Sequence, residues 1–290
     1  MTDGRILRLE APAKVNLWLR VLARRADGFH QLESELALLD LADVLVLEHG
    51  PGRLVLEPSE AELAADASNL AWQGVAEGFG RWPAGWRLTL TKTIPLAAGL
   101  GGGSSDAAAA WRLARCLLSG VDPKPSPAEL SQLALIGADV PFFATATPSA
   151  VVTGIGEVIF PRAAPEPDSI VLIHPPFALS TAAVFAATIP ADWSRQAAAG
   201  DESRNDLLPA ALRLAPALGD VLAAVRRAGY EGHLSGSGPT VWVREPDPER
   251  AHALAERLTI ADLRVSLTRL RTEPASIATM HTHDSPRGRS

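Results

Sequence analysis

The sequence is short of cysteine, and this scarcity limits its chemistry. Cys116 is the only cysteine among 290 residues. A single thiol excludes a disulfide bond within the chain, and it also excludes a zinc site built from several cysteines. This cysteine usage is compatible with a reducing compartment, and we therefore expect a cytoplasmic protein.

Long apolar runs and an excess of positive charge are also missing. Asp40 and Asp43 interrupt the richest apolar stretch, and the first five residues carry no apolar segment of the signal-peptide type. The formal net charge is -6 at pH 7, without a long basic run. These absences argue against membrane insertion and against a dedicated nucleic-acid-binding protein, whereas the acidic balance does not exclude a phosphorylated ligand.

What the chain does have is a hydrophobic content of 47% and one dense glycine segment. Residues 95–106 read Pro-Leu-Ala-Ala-Gly-Leu-Gly-Gly-Gly-Ser-Ser-Asp and precede four alanines. Glycine allows the backbone to approach a ligand closely, and Ser104, Ser105 and Asp106 are residue types that cap helices. The segment predicts a helix start at 104–106 and an anion site, most often for phosphate. An ordinary capped glycine turn is the alternative.

The strand before this segment argues against two common nucleotide-binding loops. In residues 86–94, apolar Trp86, Leu88 and Leu90 alternate with polar residues, so one face of the strand is expected to be solvated. A Rossmann fingerprint follows a strand that is buried on both faces, and its third glycine is replaced here by Ser104. A Walker A loop needs Lys followed by Ser or Thr after the glycines, and this chain lacks that pair.

The remaining pattern predicts a mixed α+β chain. Strands are predicted at residues 13–21, 29–39, 86–94, 170–173, 240–244 and within 261–271, with a second hairpin formed by 44–48 and 53–57. Helices are predicted at 69–79, 107–118, 127–136, 181–187, 210–228 and 251–258. Three prolines in residues 161–168 mark a domain boundary. We therefore predict domains 1–160 and 161–271, and a mobile tail over 272–290 whose His281 and His283 are not proposed as metal ligands.

Two charged residues stand in apolar surroundings. Lys14 lies between Ala13 and Val15, and its ammonium either reaches solvent or faces a reacting hydroxyl or phosphate. Asp139 precedes an apolar Val-Pro-Phe-Phe segment, where it is either a helix cap or a buried general base. The residues alone leave both choices open.

Two further segments are equally ambiguous. Phe29 and His30 follow a turn and could read a nucleobase, although a lone histidine is more often a surface residue. Phe185 is predicted by pattern alone to be a core residue of a helix. Residues 234–239, Leu-Ser-Gly-Ser-Gly-Pro, are either a turn before a strand or a second anion cradle.

Three of these segments resemble, in order, the signature motifs of the GHMP kinase superfamily, which includes galactokinase, homoserine kinase and mevalonate kinase. They are Pro12-Ala13-Lys14-Val15-Asn16-Leu17, residues 95–106 and residues 234–239. Two more, residues 25–30 (Arg-Ala-Asp-Gly-Phe-His) and 137–143 (Gly-Ala-Asp-Val-Pro-Phe-Phe), resemble members that act on 4-diphosphocytidyl-2-C-methyl-D-erythritol. The resemblance extends over residues 9–271.

The resemblance implies an enzyme of the non-mevalonate isoprenoid pathway that transfers a phosphoryl group from ATP to the 2-hydroxyl of that substrate. It implies a two-domain GHMP kinase fold of the α+β class, ribosomal protein S5 domain 2-like at the N-terminus and ferredoxin-like at the C-terminus. Magnesium is expected with ATP, held mainly by phosphates and water.

The resemblance also assigns residues. Asp139 is expected to accept the hydroxyl proton, and Lys14 to hold that carboxylate and stabilise charge on the attacking oxygen. Asp106 is expected to support the helix start. Cytosine is expected between Phe29 and Phe185. The expected ATP contacts are Pro95, Leu96, Ala97, Ala98, Gly99, Leu100, Gly101, Gly102, Gly103, Ser104 and Ser105. The expected substrate contacts are Asn16, Phe29, His30, Thr181, Phe185, Gly236, Ser237 and Gly238.

Two positions depart from the family pattern, since Phe29 stands where tyrosine is at least as common and Asp106 replaces asparagine. Two other functions stay open. A non-catalytic sensor on the same fold would be expected to lack Lys14 or Asp139, and both are present. An NAD-dependent oxidoreductase is disfavoured by the half-polar strand and by Ser104.

Overall fold

The computed structural model describes residues 5–57, 63–81, 84–194, 204–261 and 263–280. The strands in these ranges are β1 Ile6–Arg24, β2 His30–His49, β3 Arg53–Glu57, β4 Trp86–Thr91, β5 Ser149–Gly154, β6 Val158–Pro161, β7 Ser169–His174, β8 His233–Leu234, β9 Val241–Glu245, β10 Arg264–Arg269 and β11 Ala278–Met280. The helices are α1 Leu70–Phe79, α2 Gly102–Ser119, α3 Pro127–Ile136, α4 Val140–Ala144, α5 Thr181–Ala187, α6 Leu208–Leu214, α7 Ala217–Arg227 and α8 Pro248–Ile260. None of these helices has the length and apolar character that a membrane crossing requires.

A long antiparallel hairpin of β1 and β2 forms the centre of the first sheet. The order of the described strands is β11-β1-β2-β4-β3. Strand β5 pairs with a different part of β2 from β4, and β6 pairs with β5. Alternate residues of these strands, among them Leu9, Leu45 and Leu88, are buried against α1 and α2. This alternation follows from the period of two in a strand, which turns one apolar face toward the helices.

Two sequence predictions about this sheet are wrong. The predicted hairpin of residues 44–48 and 53–57 does not form, because β3 pairs in parallel with β4, and β4 lies between β3 and β2. The helix α1 separates β3 from β4 in the chain, and a crossover of this kind produces parallel neighbours. The predicted mobile tail is wrong for residues 272–280, since β11 pairs with the edge of β1 and Ala275 is buried. His281 and His283 lie outside the described residues.

The second sheet has the strand order β10-β7-β9-β8, with every pair antiparallel. Helices α5 to α7 lie between β7 and β8, and α8 lies between β9 and β10. Numbered from β7, this is the 4-1-3-2 order of the ferredoxin-like arrangement that the resemblance implied. The predicted single helix 210–228 is two helices, α6 and α7, because Pro216 cannot continue α6.

The two sheets meet through one apolar cluster. It joins Val15 and Leu39 from the first sheet to Leu172 and Trp242 from the second, and Leu100 of the glycine segment is buried in it. The glycine segment and the middle of β1 therefore both lie at the junction of the two sheets.

A buried charge cluster lies beneath the start of α2. Lys92 Nζ donates to Asp106 Oδ2 at 2.8 Å and also to Asp43 Oδ2. Asp43 Oδ1 accepts the backbone amides of Thr93 at 2.5 Å and Ile94 at 2.9 Å. Asp106 Oδ1 is buried without a hydrogen-bond partner. The cluster thus ties α2 to β2 and to the end of β4.

Protonation lowers the charge of this cluster. Burial raises the pKa of the Asp106 carboxyl to about 8, against the opposing effect of Lys92 and with added repulsion from Asp43. Burial also disfavours the charge on Lys92, but the two carboxylates outweigh it and raise the pKa of that ammonium. Near neutral pH, a charged Lys92 therefore lies beside an Asp106 carboxyl that holds a proton.

Helices α1 and α2 pack unusually closely. A Cβ on Gly74 would lie 2.0 Å from the carbonyl oxygen of Ala107, and one on Gly78 would lie 2.6 Å from the Cβ of Ala114. Small residues on both helices permit this approach, which holds the first turns of α2 against the body of the sheet.

We expect the Gly74→Ala variant to lose at least about 2 kcal/mol of unfolding free energy, because an overpacked core has no room for the added methyl. The Gly219→Ala variant is the matched control, since a Cβ there would make an ordinary contact with Leu212 at 3.7 Å. It should gain up to about 1 kcal/mol from its better helix propensity. Chemical denaturation measures both, and equal effects would contradict the close packing of α1 on α2.

We also expect the free energy of unfolding to fall as the pH rises from about 5 to about 8. In this window the folded state keeps a proton on Asp106, whereas the unfolded carboxyl, with its ordinary pKa of about 4, has lost it. The Asp106→Asn variant imitates the protonated carboxyl, so its stability relative to the unmodified protein should rise with pH.

Chemical denaturation of both proteins at a series of pH values tests this expectation, because other titrating groups cancel in the difference. The Asp43→Asn variant is the control, since it weakens the acceptor of two backbone amides and should be less stable across the whole range. A stability difference between the Asp106→Asn variant and the unmodified protein that does not change with pH would refute the raised pKa.

Candidate active site

The glycine segment enters α2 through its backbone. Gly101 is the N-cap residue, with φ 72°, and as a glycine it has no side chain that could cap the helix. The prediction that Ser104, Ser105 and Asp106 cap the helix is wrong, because the helix begins at Gly102 and a left-handed glycine replaces the side-chain cap. The first amides of a helix, here those of residues 102–104, have no acceptor within it. Such amides can bind an anion, and here they lie at the junction of the two sheets.

The second glycine segment packs directly on the first. Ser235 Oγ donates to the carbonyl oxygen of Gly99 at 2.9 Å. A Cβ on Gly99 would lie 2.4 Å from the carbonyl oxygen of Ser235 and 2.7 Å from that of Gly238. The two glycine segments are therefore parts of one structure, although more than 130 residues separate Gly99 from Ser235 in the chain.

Lys14 is held between these segments and a carboxylate. Its backbone amide donates to the carbonyl oxygen of Leu100 at 2.9 Å, and its side chain is 4% exposed. The Nζ atom donates to Asn16 Oδ1 at 2.7 Å and lies 3.5 Å from Asp139 Oδ2. The alternative that Lys14 reaches bulk solvent is therefore wrong. A Cβ on Gly236 would lie 3.2 Å from this Nζ, so the second glycine segment also contacts the ammonium.

Asp139 occupies the cap position of α4 without acting as a side-chain cap. Its carboxylate makes no cap hydrogen bond, and its side chain is 33% exposed. Lys14 lies on one side of this carboxylate, and the exposed side is open to a ligand. A partly exposed carboxylate beside a buried ammonium can accept a proton from a bound hydroxyl group.

The other expected substrate residues form two groups. Asn16 Nδ2 donates to Ser34 Oγ at 2.8 Å, which fixes the amide beside Lys14. Thr181 Oγ1 and Ser237 Oγ share a hydrogen bond of 2.9 Å, so α5 reaches the second glycine segment. Ser237 is adjacent in the chain to both Gly236 and Gly238. These contacts gather five of the expected residues around Lys14 and the loop 234–238.

Two residues of the expected cytosine site are in contact. His30 stacks on Phe185 with ring centroids 5.3 Å apart and meets the edge of Trp193 at 5.8 Å. Phe29 is 58% exposed. His30 thus covers one face of Phe185, and a cytosine between Phe29 and Phe185 stays a prediction. Burial, with a contribution from Arg24, lowers the pKa of His30, which favours a neutral ring.

Sequence reasoning did not single out Lys92, Asn205 or Trp193. Two sequence signals pointed to the buried charge cluster. Lys92 follows a half-polar strand three residues before Pro95, and Asp43 interrupts an apolar run. A charged side chain in such a segment is expected to need a partner if it is buried. Asn205 and Trp193 carry no local signal, because their partners lie far away in the chain.

No group of three or more His, Cys, Asp or Glu side chains in the described ranges is arranged to hold a metal ion. A surface cleft of about 510 Å³ lies elsewhere, beside Arg8 and Arg271. Arg271 is paired there with Glu10 at 2.6 Å and Asp40 at 3.4 Å, so its charges compensate one another. No residue of the motifs quoted above lines that cleft.

Comparison with known proteins agrees with this geometry. Residues 66–146 match the family described as GHMP kinases N terminal domain. A 4-diphosphocytidyl-2-C-methyl-D-erythritol kinase of Paracoccus denitrificans is 38% identical over 266 residues, covering 87% of this chain and 91% of the relative. A protein of the same name from Shouchella clausii is also 38% identical, covering 81% of this chain and 84% of the relative.

A solved structure of 4-(cytidine 5'-diphospho)-2C-methyl-D-erythritol kinase is 34% identical, with a TM-score of 0.72 over 91% of this chain and 98% of the other. Homoserine kinase from Cytophaga hutchinsonii, at 18% identity and a TM-score of 0.64 over 96% of this chain and 98% of the other, shares the fold. The chain is therefore a small-molecule kinase with the two-domain GHMP fold, and it belongs to the family of 4-diphosphocytidyl-2-C-methyl-D-erythritol kinases.

Proposed function

We propose that this chain transfers a phosphoryl group from ATP to the 2-hydroxyl of 4-diphosphocytidyl-2-C-methyl-D-erythritol. The names of its relatives support this substrate. The observation that carries the reaction is the approach of Lys14 Nζ to Asp139 Oδ2, at 3.5 Å, beside two glycine segments. A tertiary alcohol is a crowded and weakly acidic nucleophile, so a base and a cation at the hydroxyl favour its attack.

In this proposal Asp139 accepts the proton of the attacking hydroxyl on its exposed side. Lys14 orients that carboxylate and stabilises negative charge on the attacking oxygen. The new bond forms between this oxygen and the terminal phosphorus, while the bond between that phosphorus and the bridging oxygen breaks and releases ADP. Asn16 contributes indirectly, because its hydrogen bond to Lys14 fixes the ammonium in place.

The glycine segment fits a triphosphate. The amides of residues 102–104 lack acceptors within the helix, and Ala98 and Leu100 are buried, so we infer that the backbone rather than those side chains binds the phosphates. Bound magnesium would neutralise phosphate charge, and its ligands would be mainly phosphates and water.

We place the cytosine ring near His30, Phe185 and Trp193 in this proposal. A neutral His30 ring can donate one hydrogen bond and accept another, which suits the polar edge of a base. Thr188 Oγ1 lies 3.4 Å from His30 Nε2 and orients the ring. Phe29 is exposed beside this group and supplies a stacking face. A cytoplasmic location for the enzyme stays a prediction.

The substrate assignment is tested by incubating the purified protein with Mg-ATP and each of three acceptors. We expect phosphorylation of the diphosphocytidyl substrate, inhibition by cytidine diphosphate, and no turnover of homoserine or mevalonate. Detection of ADP and of the 2-phosphate by mass spectrometry measures the outcome. Turnover of homoserine or mevalonate alone would agree with a GHMP kinase but would refute the proposed acceptor. Tight NAD binding without ATP binding would support the oxidoreductase instead.

The catalytic roles are tested by the Asp139→Asn variant. Removal of a general base is expected to lower kcat by about 10²–10⁴-fold, while the affinity for a nonhydrolysable ATP analogue stays close to that of the unmodified protein. The Asp220→Asn variant, at an exposed carboxylate of α7, is the matched control and should keep full activity. Unchanged turnover in the Asp139→Asn variant would refute Asp139 as the base, whereas no turnover in the unmodified protein would support the sensor alternative.

A further inference from the structure

A short segment around Asn205 is fixed to β1, the strand that carries Lys14. The backbone amide of Leu19 donates to the carbonyl oxygen of Arg204 at 2.8 Å, and the amide of Asp206 donates to the carbonyl oxygen of Leu19 at 2.9 Å. Asn205 thereby forms a parallel bridge with Leu19. Leu19 lies five residues after Lys14 on the same strand, so a displacement of this segment would also displace the middle of β1.

Asp206 anchors the same segment with its side chain. Its carboxylate, which is almost completely buried, accepts the backbone amides of Val21 at 2.9 Å and of Ser194 at 2.7 Å. It also accepts Ser194 Oγ at 2.9 Å and Arg204 Nε at 2.5 Å. The backbone of Asn205 is therefore held against β1 independently of its own side chain.

The side chain of Asn205 is directed at the second glycine segment. Its Nδ2 donates to the carbonyl oxygens of Leu234 at 2.9 Å and Gly236 at 2.8 Å, and its Oδ1 accepts the amide of Leu207 at 2.9 Å. Both carboxamide hydrogens are thus used on the loop 234–238, and the side chain is buried. On its other side this loop approaches Lys14, because a Cβ on Gly236 would lie 3.2 Å from the lysine Nζ.

We propose that Asn205 is a positioning residue for phosphoryl transfer, because its carboxamide sets the distance between the loop 234–238 and the Lys14–Asn16 pair. The proposal rests on the proposed function of that site. Asn205 does not touch the reacting atoms. Without its two donated bonds, Gly236 and Ser237 lose the contact that holds them near the ammonium, and the acceptor alcohol loses one wall of its site.

Steady-state kinetics of the Asn205→Ala variant give the first test. We expect kcat/KM for the acceptor to fall by about 10- to 100-fold, the range expected when a reacting group is misplaced by about 1 Å. The affinity for a nonhydrolysable ATP analogue should change by less than about 3-fold, because the amides at the start of α2 are not attached to Asn205.

The Asp247→Ala variant is the matched control. Asp247 caps α8 by accepting the amides of Glu249 and Arg250, so its loss also removes side-chain hydrogen bonds, here exposed ones, from the same half of the chain. We expect a lower melting temperature for both variants but a loss of turnover only for the Asn205→Ala variant. Equal kcat/KM in the two variants would overturn the proposal.

The Asn205→Asp variant separates positioning from simple packing. An ionised carboxylate at this position would face two carbonyl oxygens without a hydrogen to donate, whereas a protonated carboxyl regains one donor. We expect the ratio of its kcat/KM to that of the unmodified protein to rise as the pH is lowered from about 8 to about 6, since burial among acceptors raises a carboxyl pKa. A ratio that is independent of pH would contradict the donor role.

Amide hydrogen exchange gives a readout that does not need turnover. The amides of Gly238 and Thr240 are hydrogen-bonded to Ser235 and Ala98, respectively. We expect them to exchange at least about 10-fold faster in the Asn205→Ala variant than in the Asp247→Ala variant. If the unmodified protein fails to phosphorylate the substrate, the proposed function fails, and exchange still decides whether Asn205 holds the loop. Unchanged exchange would refute its positioning role.

Discussion

The buried ammonium of Lys14 is the constraint around which the site is built. A charge removed from water must be compensated by partners at hydrogen-bond distance. Asn16 supplies one partner at 2.7 Å, and Asp139 supplies the opposite charge at 3.5 Å. Space around the side chain is equally restricted, because a Cβ on Gly101 would lie 3.1 Å from Lys14 Cγ and one on Gly236 would lie 3.2 Å from its Nζ. The lysine and the two glycine segments therefore form one packed unit.

Two buried lysines have different electrostatic roles in this region. Lys92 is paired with both Asp43 and Asp106, so its charge is locally compensated and it mainly joins α2 to the sheet. Lys14 has one carboxylate partner, and that partner is partly exposed. Under the proposed function, the amides at the start of α2 and the Lys14 ammonium are the groups available to a bound phosphate, although the net charge of the chain is -6.

Much of the fold follows from local sequence signals. Helices α1, α3 and α5 begin where predicted because Asn69, Ser126 and Ser180 cap them through their side chains. The predicted start of α2 was wrong because the N-cap residue there is Gly101 in the left-handed conformation, which has no capping side chain. Strand β11 has three residues and no apolar alternation, and it forms by pairing with the edge of β1. Likewise, the role of Asn205 depends on carbonyl groups 29 and 31 residues away, which no local pattern records.

The long β1–β2 hairpin separates Lys14, the proposed catalytic lysine, from the region proposed to read the base. Lys14 lies in the middle of β1, beside the glycine segments, whereas the last pair of the hairpin joins Arg24 to His30. There His30 stacks on Phe185 of α5, and α5 also reaches the second glycine segment through Thr181. Homoserine kinase from Cytophaga hutchinsonii, at 18% identity, shares the fold. Under the proposed function, acceptor choice therefore belongs to the hairpin tip and α5, and a change in either can alter specificity while Lys14 and Asp139 stay in place.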